Sequence, residues 1–277
     1  MLEHFSKVAD NYHGCIIDLW GVVHDGQKPF AHSVRAMANL REKGKTVCLL
    51  SNAPSRSRLI AQHLANMGVD QYDFVMTSGE LVWQGMKNRK EADLGGLQGR
   101  AYVIGYWAGF DLFDEIDNIS LCSDVEQADF VCCVQLPQGD YLPVLHKMAA
   151  RDLALICVNP DLVVLHNGQL AACPGTLALT YQQMGGKVIY RGKPYAQGYQ
   201  ACFDFCESRN LAAIGDGLLT DIKGANDMGL DSYFVANGIH GEKLSFDAMG
   251  CPSAGSLESL FKFYDVTPTA TMPRFMW

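Results

Sequence analysis

Gly14-Cys15-Ile16-Ile17-Asp18-Leu19 is an apolar run interrupted once, by an aspartate near its end. A short run of this kind, without polar alternation, reads as a strand buried on both faces. The pattern then repeats. Ser33 to Lys43 reads as a helix stopped by Gly44, and Thr46-Val47-Cys48-Leu49-Leu50 as a second strand. Ser55 to Met67 reads as a second helix stopped by Gly68, and Phe74-Val75-Met76 as a third strand. Farther along, Lys187-Val188-Ile189-Tyr190, Leu211-Ala212-Ala213-Ile214 and Ser232-Tyr233-Phe234-Val235 are strands with helical stretches between them. Alternation of this sort predicts an α/β fold with a doubly wound parallel sheet and crossover helices.

The middle of the chain alternates as well, through Tyr102-Val103-Ile104, Phe130-Val131-Cys132-Cys133-Val134 and Ala154-Leu155-Ile156-Cys157-Val158. It is expected to be a second α/β unit, residues 78–186, inserted into a discontinuous core of residues 1–77 and 187–277. Two lobes imply a cleft between them, where ligands usually bind. The 277 residues are 48% apolar and 19% charged, which excludes intrinsic disorder and leaves room for two ordinary domains. A net charge of −8 without a basic run excludes nucleic acid as a partner. No stretch approaches the ~18 apolar residues of a membrane span, and Met1 to Lys7 lacks the apolar core of a signal peptide. A cytoplasmic protein without a membrane partner is expected. Of ten cysteines, Cys15, Cys48, Cys132, Cys133 and Cys157 sit in strand-like runs and no CxxC pair occurs, so they read as small hydrophobes, not disulfides or zinc ligands. The apolar tail Met272 to Trp277 is expected to pack on the core or on a second subunit, in a homodimer.

In open parallel sheets, ligands sit beyond the carboxyl ends of the strands, at the point where the winding reverses. The residues there are Asp18, Ser51-Asn52, Lys193 and Asp216, with Asp221 close behind. Each has a plain reading alone: the aspartates as turn or helix caps, Ser51-Asn52 as an N-cap pair, Lys193 as a solvated lysine. Together they form a set for phosphate and metal chemistry. A carboxylate can attack phosphorus, a hydroxyl and an amide can hold phosphoryl oxygens, a lysine can neutralise them, and further carboxylates suit a hard cation such as Mg²⁺.

Asp18-Leu19-Trp20-Gly21-Val22-Val23-His24-Asp25-Gly26 resembles the nucleophile loop of the haloacid-dehalogenase-like (HAD) hydrolases. Ser51-Asn52, Gly192-Lys193-Pro194 and Gly215-Asp216-Gly217-Leu218-Leu219-Thr220-Asp221 resemble the other three motifs, in the same order. Thr77-Ser78-Gly79-Glu80 and Asn159-Pro160-Asp161-Leu162-Val163-Val164 are similar to the NagD-like class IIA branch, whose α/β cap lies between the second and third motifs. The resemblance implies a Rossmann-like core and a Mg²⁺-dependent phosphatase acting on a small phosphorylated metabolite, a sugar phosphate or nucleotide. Asp18 would be the nucleophile and carry an aspartyl phosphate, with Ser51 and Lys193 also catalytic. Ser51, Asn52 and Lys193 would grip the phosphoryl oxygens, and Asn159 and Asp161 would contact substrate from the cap. Mg²⁺ would be held by Asp18, the backbone carbonyl of Trp20 and Asp216. Asp221 would stand beside them, as a ligand or to orient the loop or a metal-bound water.

The chain departs from that pattern at Trp20. Phosphatases of the family carry a second aspartate there, which protonates the leaving oxygen and later activates water. An indole offers no proton near neutral pH, and such assistance is worth about 10²–10⁴-fold. Hydrolysis is expected to be slow, confined to good leaving groups, or assisted by a substitute, for which His24 and Asp25 are the nearest candidates. The rival expectation is a catalytically weak phosphometabolite-binding or regulatory protein. Dehalogenation ranks below both, because the loop from Gly215 to Asp221 has the metal-binding form. A phosphoacceptor receiver domain is too short to explain the inserted lobe.

Overall fold

The computed structural model describes residues 1–89, 91–106, 110–166 and 169–277. In chain order, β1 (Gly14–Ile17), α1 (Ala31–Glu42), β2 (Thr46–Ser51), α2 (Ser57–Asn66) and β3 (Phe74–Thr77) are followed by α3 (Ser78–Asn88). Then come β4 (Gly99–Ile104), β5 (Ile119–Cys122), β6 (Phe130–Cys133), α4 (Leu142–Ala150) and β7 (Leu155–Cys157). β8 (Val163–His166), β9 (Gln169–Ala172), α5 (Pro174–Gln183) and β10 (Val188–Tyr190) complete the middle of the chain. The last part holds α6 (Ala196–Cys206), β11 (Leu211–Gly215), α7 (Lys223–Asp227), β12 (Asp231–Val235), α8 (Ala254–Tyr264) and β13 (Ala270–Met272).

One sheet has the order β13-β12-β11-β1-β2-β3 and is parallel throughout. The chain starts at the central β1, builds outward to β3, and returns to build from β11 to β13, which is the doubly wound plan. Successive residues of each strand face opposite ways. Cys15 and Ile17, Val47 and Leu49, and Ala212 and Ile214 pack with Met37 and Leu40 of α1 and Leu64 of α2. Ile16, Cys48, Leu50 and Ala213 pack with Tyr199, Cys202 and Phe203 of α6. Burial on both faces is why these strands read as unbroken apolar runs.

A second parallel sheet has the order β10-β7-β6-β4-β5. Val82 and Met86 of α3 cover one face with Phe130 and Ile156. Leu145 and Met148 of α4 and Leu177 and Tyr181 of α5 cover the other. β8 and β9 form a separate antiparallel hairpin, with Val163 opposite Ala172 and Leu165 opposite Leu170.

One strand lies in the other sheet from the one expected. The sequence pattern groups Val188–Tyr190 with the core strands, yet Val188 pairs with Leu155 and Tyr190 with Cys157 in the second sheet. The second sheet therefore extends past residue 186, to Tyr190. An apolar run does not say which sheet it joins. Here the preceding helix decides, because Leu177 and Tyr181 of α5 pack on Leu155 and Cys157 of β7 and return the chain beside that strand. The core sheet takes β13 as its sixth strand instead. The tail beyond it packs on its own chain: Phe275 is buried, its ring meets Phe5 edge-on at 5.9 Å, and the Phe5 N–H donates to Met276 O at 2.8 Å. All ten cysteines are free thiols. Among the described residues, no helix is long and apolar enough to cross a membrane.

Candidate active site

Three strand ends of the core sheet converge. The Asp18 N–H continues the ladder of β1 by donating to Ile214 O of β11 at 2.9 Å. Its carboxyl thus emerges where the chain winds to either side. Ser51 ends β2, and Asp216 follows β11. A five-residue π-helical turn, Leu218–Ile222, then brings Asp221 back to accept from the Gly217 N–H at 2.9 Å. Lys193 arrives from the other sheet, three residues beyond β10. Asp18, Trp20, Ser51, Asn52, Asn159, Asp161, Lys193, Asp216 and Asp221, all named from the sequence, line a single cavity of about 230 Å³.

Two glycines permit the approach. At Gly21, with φ of +82°, a Cβ would overlap the Asp216 carboxylate. At Gly192, with φ of +103°, it would overlap Ser78 Oγ and Asn52 Oδ1. Both the backbone angle and the space demand glycine at these two positions.

The Lys193 ammonium is buried against the Asp18 carboxylate and lies 2.7 Å from Asp221 Oδ1. Burial alone would lower its pKa, but the charges of Asp18, Asp221 and Asp161 outweigh that and keep it protonated. Oxygens of Asp18, Asp216 and Asp221 all lie within 4.8 Å of one another. Burial, followed by the charge of Asp221, pushes the Asp18 carboxyl up to about 7 against the pull of Lys193. Burial and the charges of Asp18 and Asp221 push Asp216 well above the usual carboxylate range, although its Oδ2 accepts from the Ile239 N–H at 2.8 Å. Three buried carboxylates facing one ammonium are short of positive charge. An all-oxygen donor set with that deficit fits a hard divalent cation such as Mg²⁺.

Asn52 is used differently from what the sequence suggests. Its Oδ1 accepts from the Lys193 N–H at 2.7 Å and from Ser78 Oγ at 3.3 Å. Its Nδ2 donates to Asp161 Oδ1 at 2.9 Å and to Lys193 O at 3.1 Å. Both amide hydrogens are engaged, so the side chain has no donor to offer a phosphoryl oxygen. The expected grip on phosphate therefore does not come from this side chain, which ties Lys193 and Asp161 to the end of β2. Asn159 accepts from the Asp161 N–H at 3.0 Å and so shapes the turn that presents Asp161. Burial raises the Asp161 carboxyl to about 6, with Lys193 and Asn52 acting against the rise.

Trp20 lies in the cavity wall, and its indole N–H donates to Leu165 O of the β8 hairpin at 2.7 Å. His24 and Asp25 are absent from the wall. The His24 Nδ1 accepts from the Gly26 N–H at 3.0 Å, and burial lowers the imidazole to about 4. Asp25 is exposed and accepts from the N–H groups of Gln27 and Lys28 at 2.9 and 2.7 Å. The sequence offered both as substitutes for the missing acid; here both close the loop on itself. Sequence reading did not reach Ile239, and it quoted Ser78 and Thr220 within motifs without giving either a role. Ile239 follows β12, so the strand-end rule that singled out Asp216 would also have reached it.

A family model described as haloacid dehalogenase-like hydrolase matches residues 15–117, and a second, HAD-hydrolase-like, matches residues 190–260. A haloacid dehalogenase-like hydrolase from Brucella suis is 29% identical with a TM-score of 0.83, and each chain is covered in full. A possible sugar phosphatase of the HAD superfamily from Cytophaga hutchinsonii is 20% identical with a TM-score of 0.76, over 99% of this chain and 98% of its own. The glycerol phosphate phosphatase of Mycobacterium tuberculosis, solved in complex with magnesium, is 23% identical with a TM-score of 0.64, over 84% of this chain and 70% of its own. No curated protein matches the chain.

Proposed function

The chain belongs to the haloacid dehalogenase-like hydrolases, in their NagD-like class IIA branch, and we propose that it is a Mg²⁺-dependent phosphatase of small phosphorylated metabolites. The observation that carries this reading is the buried contact of Asp18 with Lys193, inside a cavity that also holds Asp216 and Asp221. Asp18 attacks phosphorus and becomes an aspartyl phosphate, which water then hydrolyses. Lys193 and the Ser51 hydroxyl bind phosphoryl oxygens, and Asn52 holds Lys193 in place. Asp18, Asp216, Asp221 and the Trp20 backbone carbonyl would hold Mg²⁺, which would supply the positive charge that the carboxylates lack. The second sheet with its hairpin serves as the cap, and Asp161 reaches substrate from it. Ten free thiols suit a reducing compartment, the cytoplasm.

The test is phosphate release from p-nitrophenyl phosphate with and without Mg²⁺, in wild type and Asp18→Asn. Turnover in the variant should fall by about 10³-fold or more. Near-wild-type activity in the variant would remove Asp18 from the mechanism. The second reading, a phosphometabolite-binding protein, is favoured by Trp20, which replaces the proton-transfer group and leaves the phosphate-binding groups intact. It is the outcome if Mg²⁺ and phosphate esters bind but no phosphate is released.

A further inference from the structure

A proton delivered to the leaving oxygen is worth about 10²–10⁴-fold in a phosphoryl transfer. Trp20 does not deliver it, since its indole N–H is turned to Leu165 O at 2.7 Å. His24 and Asp25 do not line the cavity, and Lys193 is held by Asp18 and Asp221. Attack by Asp18 puts the leaving oxygen on the far side of phosphorus, because entering and departing oxygens stand in line. Asp18 belongs to the core sheet. The chain beyond β7 supplies another part of the wall, with Asn159, Asp161, Val163, Val164, Leu165 and Cys173. Asp161 is the carboxylic acid among these six. Asn159 has an amide, and burial pushes the Cys173 thiol up to about 12.

Asp161 is held in position by several bonds. Its Oδ1 accepts from Asn52 Nδ2 at 2.9 Å, its N–H donates to Asn159 Oδ1 at 3.0 Å, and its carbonyl accepts from the Gly175 N–H at 3.1 Å. Among the described residues, its Oδ2 has no hydrogen-bond partner. The bond from Trp20 to Leu165 O braces β8, which begins two residues after Asp161. The indole at the acid's usual position thus steadies the segment that carries this carboxyl. Asp161, Val163, Gly217, Thr220 and Ile239 line both this cavity and a second one of about 380 Å³. Asp161 therefore stands where the phosphoryl site opens into further space, the place for the leaving alcohol.

Building on the phosphatase reading above, we propose that Asp161 is the general acid of the first step and the general base of the second, in the role that Trp20 cannot fill. In the first step, an Asp18 oxygen bonds to phosphorus as the bond from phosphorus to the ester oxygen breaks. The electron pair departs on that oxygen, which takes the proton from Asp161 Oδ2 and leaves as the alcohol. In the second step, a water oxygen bonds to phosphorus and its proton passes to the Asp161 carboxylate. The Asp18–phosphorus bond breaks, its pair returns to the Asp18 carboxylate, and Asp161 is protonated again. Burial raises the Asp161 carboxyl to about 6 against the pull of Lys193 and Asn52, and the charge of Asp221 adds to the rise. Asp18, Cys157 and Cys173 also interact with it. Both of its forms are therefore populated near neutral pH, as a group that gives and then takes a proton requires.

The experiment measures kcat/KM in Mg²⁺ for two alkyl esters, glycerol phosphate and a hexose phosphate, and for p-nitrophenyl phosphate, in wild type and Asp161→Asn. The amide of the variant can still accept from Asn52 but carries no acidic proton. The variant should lose about 10²-fold or more on the alkyl esters, whose alkoxide needs the proton, and less than about tenfold on p-nitrophenyl phosphate, whose phenolate does not. In wild type, kcat/KM for the alkyl esters should fall by about tenfold per pH unit on the alkaline side of the Asp161 ionisation, a limb that p-nitrophenyl phosphate lacks. That profile needs no variant. Equal losses on both kinds of ester would make Asp161 a binding or folding residue and overturn the inference. Unchanged activity of the variant on the alkyl esters would also overturn it, as would wild-type pH profiles of one shape for all three esters. If wild type turns over p-nitrophenyl phosphate alone, the wall supplies no acid; the inference falls and the phosphatase reading stands. If no ester releases phosphate, the phosphatase reading itself fails.

Discussion

Replacing Asp18 with asparagine separates the electrostatics of the site from its chemistry. In the metal-free protein, burial and Asp221 move this carboxyl from 3.8 to about 7. Each factor of ten in proton affinity is worth about 1.4 kcal/mol, so the shift corresponds to about 4 kcal/mol. The folded state holds the proton more tightly than the unfolded state. Its advantage is complete below about pH 4 and is lost as pH rises through about 7. Asparagine does not ionise, so the variant escapes this loss. The stability of Asp18→Asn relative to wild type should therefore rise between pH 4 and pH 7 and level off above, by up to about 4 kcal/mol. His24 and His240, lowered by burial to about 4, act in the opposite sense below pH 6.5, but they are present in both proteins and cancel. For a chain of this length, that difference corresponds to a Tm gap on the order of 10 °C. The assay is thermal unfolding followed by circular dichroism from pH 5 to 8.5, in EDTA and then in Mg²⁺. Mg²⁺ should stabilise wild type above pH 7 and have much less effect on the variant. Parallel pH profiles for the two proteins, or equal stabilisation by Mg²⁺, would refute the reasoning.

Asn52→Ala leaves the buried Lys193 N–H and the Asp161 carboxylate without their partner. It should lower stability by about 1–3 kcal/mol in urea unfolding and also lower kcat/KM; a neutral result in both would show that Asn52 positions nothing. Trp20→Phe keeps an aromatic ring but removes the bond to Leu165 O. Hydrogen exchange in the β8–β9 hairpin should quicken by about fivefold, the equivalent of about 1 kcal/mol, and an unchanged rate would mean that the indole does not restrain the hairpin. Gly192→Ala combines a φ of +103° with overlap on Ser78 and Asn52. Melting curves should show a loss of about 1–3 kcal/mol or more, and a wild-type Tm would contradict the observed backbone.

The residues around the cavity were legible because each follows a strand, and a strand is announced by a local apolar run. Asp18 after Ile17 and Asp216 after Gly215 are two such cases. β5, β8, β9 and β13 are three or four residues long, too short to stand out from neighbouring loops. The use made of Asn52 was hidden for another reason. Amide and phosphate chemistry suggested one role, whereas the partners that saturate its side chain lie 26, 109 and 141 residues away.

Periodicity, strand-end position and residue chemistry were enough to establish an α/β chain with a carboxylate–lysine site, because each acts over a few neighbouring residues. Tertiary structure alone decided three further matters. It placed Val188–Tyr190 in the second sheet, turned the Trp20 indole toward a carbonyl 145 residues away, and set two cavities side by side with Asp161, Val163, Gly217, Thr220 and Ile239 lining both. Those outcomes depend on which distant surfaces pack together, and an apolar strand or an aromatic side chain is compatible with many partners until the whole chain has folded.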